Sequence, residues 1–390
     1  MISVDQALEH LFSLVAPLEA EAVPLAQAAG RVLARDAVAR RDQPPFAASA
    51  MDGYAVSGAC ADPGARLRVI GEAAAGHGFA GRIGSGETVR IFTGAPLPAG
   101  ADRVIIQEDV TRAGDMITLG TELDSGTHVR AAGGDFRVGD RIEAPRMLGP
   151  SDLALLAAMN IAEVPVTRRP EVALMSTGDE LVMPGEEPGP DQIIASNTFG
   201  LKAMLEGIGA RARILPIARD TRASLAAGFD LATGADLVVT IGGASVGDHD
   251  LVGEVAEQMG MHRAFYKIAM RPGKPLMAGR MGDAAMVGLP GNPVSAMVCG
   301  HVFLAPMIRA MQGLGAERSS RLTARLACDM PAGGPREHYM RAAQEDGAIT
   351  PAQRQDSALL SILANANALL IRPASDRPRK AGEIMEYIAL

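Results

Sequence analysis

The chain of 390 residues has no tryptophan and few other aromatic residues, which together make up 3 % of the sequence. Proteins that bind single-stranded nucleic acid usually stack the bases on aromatic side chains. An excess of basic residues is lacking too, because 45 Asp and Glu against 37 Lys and Arg give a net charge of −8. Non-specific nucleic-acid binders carry the opposite sign. We therefore expect no nucleic-acid partner, and a local group of cations and amides must hold any anionic ligand.

Cysteine is scarce, since Cys60, Cys299 and Cys328 lie far apart and form no paired motif. This spacing argues against a disulfide scaffold or a cysteine zinc site and favours a reducing compartment. The N-terminus has no basic segment ahead of an apolar stretch, as a signal peptide would have. The longest run without charge, 284–308, contains three prolines and fits a buried strand and helix better than a membrane span. We expect a cytoplasmic protein with no membrane partner.

The length is that of two to four domains, and a hydrophobic fraction of 48 % is enough for a packed core. Ser3 and Gln6 have the spacing of a capping box, and apolar residues at helical intervals predict a first helix that ends before Pro17. Short Val- and Ile-rich runs over about 44–142 predict a β-rich module. A helix with Ser151 as its cap is predicted to follow.

The segment from Glu171 to about Gln312 alternates between short apolar strands and helices. Repeated units of this kind predict a central doubly wound α/β domain with a parallel sheet, in which ligands bind at the carboxyl ends of the strands. Strand-like stretches after Gly313 predict a small all-β terminal domain. The predicted strands are 172–175, 212–217, 236–241, 285–289, 322–327, 368–371 and 383–388, and the predicted helices of the α/β domain are 197–205, 221–231, 250–258 and 293–311.

Three glycine-containing loops follow strands of the α/β domain, at 176–181, 242–250 and 290–294. Glycine lets the backbone approach a ligand closely, and free amides at a helix start favour anions. Each loop taken alone is equally consistent with an ordinary turn. Three such loops at the same edge of one sheet indicate a binding site for an anionic ligand.

Carboxylates are concentrated in the first two of these loops, which contain Asp179, Glu180, Asp248 and Asp250. Two like charges ~4 Å apart repel by about 4 kcal/mol at an effective dielectric of about 20. A divalent cation removes that repulsion, and hard oxygen ligands suit Mg²⁺. An alternative of equal weight is that Asp250 caps the next helix and the other carboxylates face solvent.

The chain has only four lysines, and two of them, Lys267 and Lys274, flank Arg271 within eight positions. Pro272, Gly273 and Pro275 brace this segment. We interpret it as a fixed cationic pocket for a compact anion, since lysine acts as a point charge. The alternative is an ordinary solvated loop.

The string Gly243-Ala-Ser245-Val-Gly247 also matches the G-x-S-x-G motif of a serine nucleophile between a strand and a helix. Asp283 followed by His301 or His338 could complete a triad. We rank this interpretation lower, because His301 lies within an apolar predicted helix and the acidic neighbours of Ser245 suit phosphate and metal chemistry.

Taken together, the motifs resemble the molybdopterin molybdenumtransferase family, which includes MoeA and the gephyrin E domain. The matching strings follow the family's order and extend over nearly the whole chain. They are Ser49-Ala-Met-Asp-Gly-Tyr-Ala-Val56, Ile91-Phe-Thr-Gly-Ala-Pro-Leu-Pro-Ala-Gly100, Ser176-Thr-Gly-Asp-Glu-Leu181, Gly242-Gly-Ala-Ser-Val-Gly-Asp248, Arg271-Pro-Gly-Lys-Pro275 and Leu289-Pro-Gly-Asn-Pro-Val-Ser-Ala296.

The resemblance implies an elongated homodimer with a site shared between subunits, and a chain of four units. These are a helical linker domain (1–40 and 143–170), a β-rich domain (41–142), an α/β molybdopterin-binding domain (171–315) and a C-terminal β-barrel (316–390). The implied activity is the last step of molybdenum cofactor synthesis. Molybdate and adenylylated molybdopterin yield the cofactor and AMP, with Mg²⁺ or another divalent cation, and contact with other enzymes of this synthesis is implied too.

The same resemblance implies the roles of individual residues. Glu180 and Asp250 are the expected metal ligands. Arg271 stands where the family often has Lys, and Asp356 precedes Ser357 where Gly is usual. The implied catalytic residues are Asp52, Asp135, Glu180, Asp220, Asp250 and Lys267, and the implied substrate-binding residues are Thr93, Thr177, Gly178, Gly242, Gly243, Ser245, Gly247, Arg271, Lys274, Pro290, Asn292, Arg341 and Ser357.

Two other functions remain alternatives to this interpretation. The related molybdopterin adenylyltransferase shares the α/β domain, but the additional β segments on both sides argue against it. A non-catalytic scaffold module is the second alternative, and no receptor-binding signature in the sequence supports it.

Overall fold

A computed structural model describes residues 1–243 and 251–390, and in it the chain opens with helix α1 (Val4–Ser13). The predicted capping box is confirmed, because the hydroxyl of Ser3 accepts from the Gln6 amide at 3.1 Å and the Gln6 side chain accepts from the Ser3 amide at 3.0 Å. The apolar face of α1, which includes Leu8 and Leu11, is buried in the core of the α/β domain. The first helix therefore packs on the α/β domain, although its residues belong to the range assigned to the linker domain.

The linker domain contains a four-stranded sheet, in the order β1-β14-β2-β13, packed against helix α2 (Pro150–Ala158). Apart from α1, this domain has more residues in strands than in α-helix, whereas the resemblance implies a helical linker domain. The prediction of Ser151 as the cap is wrong, because Gly149 occupies that position and its amide donates to Asp152 at 2.8 Å. Proline at the first helical position explains the earlier start.

The β-rich domain is confirmed as a six-stranded sheet, in the order β8-β5-β7-β6-β10-β9, with one apolar cluster on each side. Two-stranded pairs β11-β4 and β12-β3 accompany it. The strands of the first 170 residues are β1 (Ala20–Pro24), β2 (Val32–Leu33), β3 (Ala37–Val38), β4 (Ala48–Ser49), β5 (Gly53–Val56), β6 (Arg66–Ala73), β7 (Glu87–Ile91), β8 (Arg103–Ile106), β9 (Val110–Ala113), β10 (Met116–Leu119), β11 (Val129–Arg130), β12 (Arg141–Ile142), β13 (Arg146–Met147) and β14 (Glu163–Thr167).

The α/β domain has a six-stranded sheet in the order β18-β15-β19-β23-β22-β20. Its first four strands are parallel, as predicted, but β22 and β20 are antiparallel and were not predicted. The connection from β22 to β23 is a tight turn at Gly282, whose φ of 58° suits a hairpin. The strands are β15 (Glu171–Ser176), β16 (Leu181–Val182), β17 (Ile193–Ile194), β18 (Arg211–Ile214), β19 (Leu237–Ile241), β20 (Met261–Tyr266), β21 (Met270–Arg271), β22 (Met277–Met281) and β23 (Ala284–Leu289).

Helices cover both faces of this sheet, which buries the strands in two apolar clusters. They are α3 (Asn197–Gly207), α4 (Arg222–Leu231), α5 (Leu251–Gln258), α6 (Pro293–Cys299) and α7 (Ala305–Met311), with a π-helical segment (Gly300–Leu304) joining the last two. Within the described ranges, Pro293–Met311 is the one helix long and apolar enough to cross a membrane, with a mean hydropathy of 1.5. It is 78 % buried inside the fold, as expected of a core helix.

The C-terminal domain is a closed five-stranded barrel, because β25 pairs with both β26 and β27 in the series β25-β26-β24-β28-β27. Strand β21 of the α/β domain pairs in parallel with β25 and so links the two domains. Three of the five strands were predicted; β25, which is rich in polar residues, and the four-residue β26 were not. The elements are β24 (Leu322–Leu326), β25 (Glu337–Glu345), β26 (Ala348–Pro351), α8 (Leu360–Ala364), β27 (Ala368–Arg372) and β28 (Ile384–Ala389).

Candidate functional site

A cleft of about 550 Å³ lies at the carboxyl ends of β15, β19 and β23, where the three glycine loops meet. Gly242 has a φ of 103°, and a Cβ there would lie 2.5 Å from the Thr177 carbonyl oxygen, so only glycine fits. The predicted convergence of the loops is confirmed for their described parts. The lining residues include Ser176, Thr177, Glu180, Leu181, Ile193, Ile194, Ser196, Asn197, Gly242, Gly243, Pro290, Gly291 and Asn292.

Two buried polar atoms of the cleft have no protein partner in the described part of the chain. They are the hydroxyl of Thr177 and the amide oxygen of Asn197. The other end of the Asn197 amide is fixed, because its nitrogen donates to the Gly291 carbonyl at 2.8 Å. Buried polar groups are normally satisfied, so both atoms are available to a bound ligand.

A second cavity of about 370 Å³ adjoins the cleft and shares Pro275, Pro290 and Asn292 with it. The α/β domain contributes Arg271 and Lys274 to its wall. The C-terminal domain completes the wall. It contributes Arg336, which immediately precedes β25, and Gln355, Asp356 and Ser357, which lie between β26 and α8. The Val294 amide donates to the Ser357 carbonyl at 3.0 Å and holds the two domains together beside this cavity.

Cations dominate this second cavity, which we call the cationic cavity. Within residues 1–243 and 251–390, no carboxylate forms an ion pair with Arg271, Lys274, Arg336 or Arg341. Arg341 does not line this cavity but is fully buried behind its wall, where its guanidinium donates to the Asp356 carbonyl at 2.9 Å while Nε and Nη1 have no partner among the described residues. Burial lowers the pKa of Arg341, the charge of Asp356 opposes this, and the charge of Arg271 adds to it. A compact anion would pair with the lining cations Arg271, Lys274 and Arg336.

Lys267 does not line either cavity. It has a left-handed φ of 73°, its amide donates to the Leu276 carbonyl at 3.0 Å, and its Nζ lies 4.8 Å from the centre of the Tyr266 ring. The three cations predicted to share one pocket are therefore separated. Arg271 and Lys274 remain, and Arg336, which sequence reasoning missed, joins them.

Asp220 lies beside the carboxylates of the first loop, as its amide donates to Asp179 at 3.1 Å. Burial, followed by the charges of Asp179 and Glu180, raises the pKa of Asp220. The guanidinium of Arg219 donates to the Gly178, Asp179 and Leu181 carbonyls and fixes the loop. Asp179 was expected among the carboxylates of this loop, whereas nothing in the sequence pointed to Arg219.

The described residues contain no group of three or more His, Cys, Asp or Glu side chains placed to hold a metal ion. Glu180 lines the cleft, with Asp220 near it. Asp250, the other expected ligand, lies outside the described residues, as do Ser245 and Gly247.

Asp52 and Thr93 lie together in the β-rich domain. The amide and the hydroxyl of Thr93 both donate to Asp52 Oδ1 at 2.8 Å, and these bonds lower the pKa of Asp52. Asp135 is exposed, and its amide donates to the Gln43 carbonyl at 2.9 Å. None of these three lines the cleft or the cationic cavity of its own chain.

The fold and the site define a class: multidomain α/β proteins with a glycine-lined cleft at the carboxyl ends of a central sheet, beside a second cavity lined by cations.

Family models match the chain in three consecutive segments: the MoeA N-terminal region (domains I and II) at 2–160, a probable molybdopterin-binding domain at 173–310, and the MoeA C-terminal region (domain IV) at 323–390. A molybdopterin molybdenumtransferase of Haemophilus influenzae is 39 % identical over 317 residues, covering 80 % of this chain and 78 % of the relative. Molybdopterin molybdenumtransferase 2 of Mycobacterium tuberculosis is 35 % identical over 90 % of both chains.

A solved structure of the molybdopterin biosynthesis MoeA protein from Pyrococcus horikosii has a TM-score of 0.87 at 31 % identity and covers 100 % of this chain and 99 % of its own. The chain therefore belongs to the molybdopterin molybdenumtransferase (MoeA) family.

Proposed function

We propose that this chain is a molybdopterin molybdenumtransferase, which inserts molybdenum from molybdate into adenylylated molybdopterin and releases AMP. The observation that carries this proposal is the pair of adjoining cavities, one at the glycine loops and one rich in unpaired cations. A transfer between a nucleotide ester and an oxyanion needs both ligands side by side.

The cleft suits a planar ring joined to a diphosphate. Ile193 and Ile194 offer an apolar wall, with 59 % and 39 % of their surfaces exposed. Gly243 also lines the cleft, and its amide would donate to a phosphate oxygen. The Gly242 and Val294 amides already donate to the Leu289 and Ser357 carbonyls. Thr177 and Asn197 would supply hydrogen bonds from atoms that now have no partner.

The cationic cavity suits molybdate, a compact dianion. Arg271 and Lys274 face it from the α/β domain, and Arg336 and Ser357 face it from the other side. Arg341, which does not line the cavity, supports its wall by donating to the Asp356 carbonyl.

The carboxylates around Glu180 fit a divalent cation, and we propose Mg²⁺. Burial raises the pKa of Asp220, and repulsion from Asp179 and Glu180 adds to this effect; a bound cation would relieve the repulsion. Glu180 and Asp220 would hold the ion together with Asp250. When bound, it would neutralise the diphosphate and polarise the bond to AMP.

We propose further that the protein acts as a homodimer in the cytoplasm. The cavities of one chain are lined by none of three predicted site residues, Asp52, Thr93 and Asp135. In a homodimer, these residues would reach the site of the other subunit across the interface. Contact with other enzymes of cofactor synthesis would let the adenylylated intermediate pass directly to the cleft.

Purified protein supplied with Mg²⁺, molybdate and adenylylated molybdopterin should release AMP and form active cofactor. Consumption of ATP and molybdopterin to make the adenylylate would instead identify an adenylyltransferase. Absence of both reactions would favour the scaffold alternative. For the serine-hydrolase interpretation, a fluorophosphonate probe should leave Ser245 unlabelled.

A further inference from the structure

His338 lies among arginines behind the cationic cavity. It is on β25, and its Cα pairs with Arg271 on β21 and with Arg372 on β27, so the three basic residues share one register position on adjacent strands. Nε2 of His338 is buried and has no hydrogen-bond partner among the described residues. Arg271 itself lines the cavity.

The charged groups that face His338 are nearly all cations. Burial, followed by the charges of Arg271, Arg341, Arg372 and Arg336, lowers the pKa of His338 to about 4, so its imidazole is neutral at pH 7.

The nearby carboxylates are engaged elsewhere. Asp376 pairs with Arg372 at 3.1 Å and Arg379 at 2.7 Å, and Glu337 accepts from the Tyr339 hydroxyl at 2.8 Å and from Arg321 at 3.2 Å. Asp356 accepts from the Ala358 amide at 2.9 Å.

We propose that His338 takes up a proton when a dianion enters the cationic cavity, and that it is a positioning residue which makes oxyanion affinity depend on pH. This rests on the proposed function only in assigning an oxyanion to that cavity. Four arginines already act on His338 in the free protein, in addition to its burial, and two negative charges in the cavity would offset the repulsion that these arginines exert on an imidazolium.

The expected effect is large enough to measure. A dianion roughly 8 Å from an imidazolium favours the protonated form about 1000-fold at an effective dielectric of about 20. The affinity for molybdate should then rise about tenfold between pH 8 and pH 6 in the wild-type protein.

Isothermal titration of the full-length protein with molybdate, in two buffers of different ionisation enthalpy, counts the protons taken up. Sulfate, which keeps both charges over this range, is the second probe. Wild type should take up a substantial fraction of one proton at pH 6, and His338→Gln should take up none and lose the pH dependence. His301→Gln is the matched control, because His301 is a buried histidine with a lowered pKa that lines neither site cavity.

Histidine NMR of the wild-type protein, with and without molybdate, tests the same point if His338→Gln does not fold. Binding without proton uptake would overturn the inference and leave the proposed function intact. Absence of any molybdate binding would overturn the proposed use of the cavity. Equal loss of proton uptake in His301→Gln would assign the effect to general protonation and refute the role of His338.

Discussion

Replacing Arg341 by Met tests whether the buried guanidinium serves a ligand or the fold. The wild-type side chain is fully buried with no ion pair among the described residues, and two of its three nitrogens have no hydrogen-bond partner there, although the charge of Asp356 acts favourably on it. Removing this buried charge relieves desolvation, while the lost bond to the Asp356 carbonyl costs a similar amount. The free energy of unfolding should therefore change by no more than about 1 kcal/mol. Molybdate affinity should fall about tenfold, because a cation behind the cavity wall is lost while every lining residue remains.

Arg372→Met is the matched control, because Arg372 is a buried arginine of the neighbouring strand β27 that is paired with Asp376. Breaking that buried pair should reduce stability by about 3 kcal/mol and leave molybdate bound. Circular dichroism during thermal unfolding measures the first quantity, and isothermal titration measures the second. Strong destabilisation of Arg341→Met with unchanged affinity would refute the reasoning, since Arg341 would then serve the fold.

Four further predictions concern the rest of the site. Co-expressed Asp52→Ala and Glu180→Ala chains should recover about a quarter of wild-type AMP release. Half of the dimers contain one chain of each kind, and one of the two shared sites in such a dimer is intact. No recovery would mean that each chain builds its own site. Asp220→Asn should unfold at a higher temperature than wild type at pH 7. The raised pKa of Asp220 makes the stability of the wild-type protein decline as the pH rises. The advantage of the variant should therefore vanish as the pH falls below the ordinary pKa of aspartate. The same variant should need about tenfold more Mg²⁺ for half-maximal AMP release, and an unchanged requirement would exclude Asp220 from the cation site. Gly242→Ala should cost about 1–3 kcal/mol of stability and suppress AMP release, and normal thermal unfolding would contradict the close approach to Thr177.

The sequence predicted the parts of the fold whose signals are local. The capping box at Ser3, the four parallel strands and the glycine loops each depend on residues within one element or turn. Strands β20 and β22 were missed because His262 and Arg263 in the first, and Gly279 and Arg280 in the second, interrupt the apolar run expected of a buried strand. Strand β25 was missed because Arg341 and its polar neighbours interrupt the alternation expected of a strand.

Within the site, proximity along the chain was a poor guide to proximity in space. Lys267 is close to Arg271 in sequence, but the left-handed backbone at Lys267 turns it towards Tyr266. Arg336 is distant in sequence, and the pairing of β21 with β25 brings it to the cavity. Asp220 and Asp179 meet only because β15 and β18 are adjacent in the sheet.

The two-residue strand β21 belongs covalently to one domain and by its hydrogen bonds to another. The cavity proposed for the oxyanion is therefore complete only when the last 75 residues are folded and docked on the α/β domain. A chain cut after residue 315 would keep the glycine loops, but it would keep only Arg271 and Lys274 of the three cations that line this cavity. Substitutions in the barrel could consequently change which oxyanion the cavity accepts while the glycine loops stay unchanged.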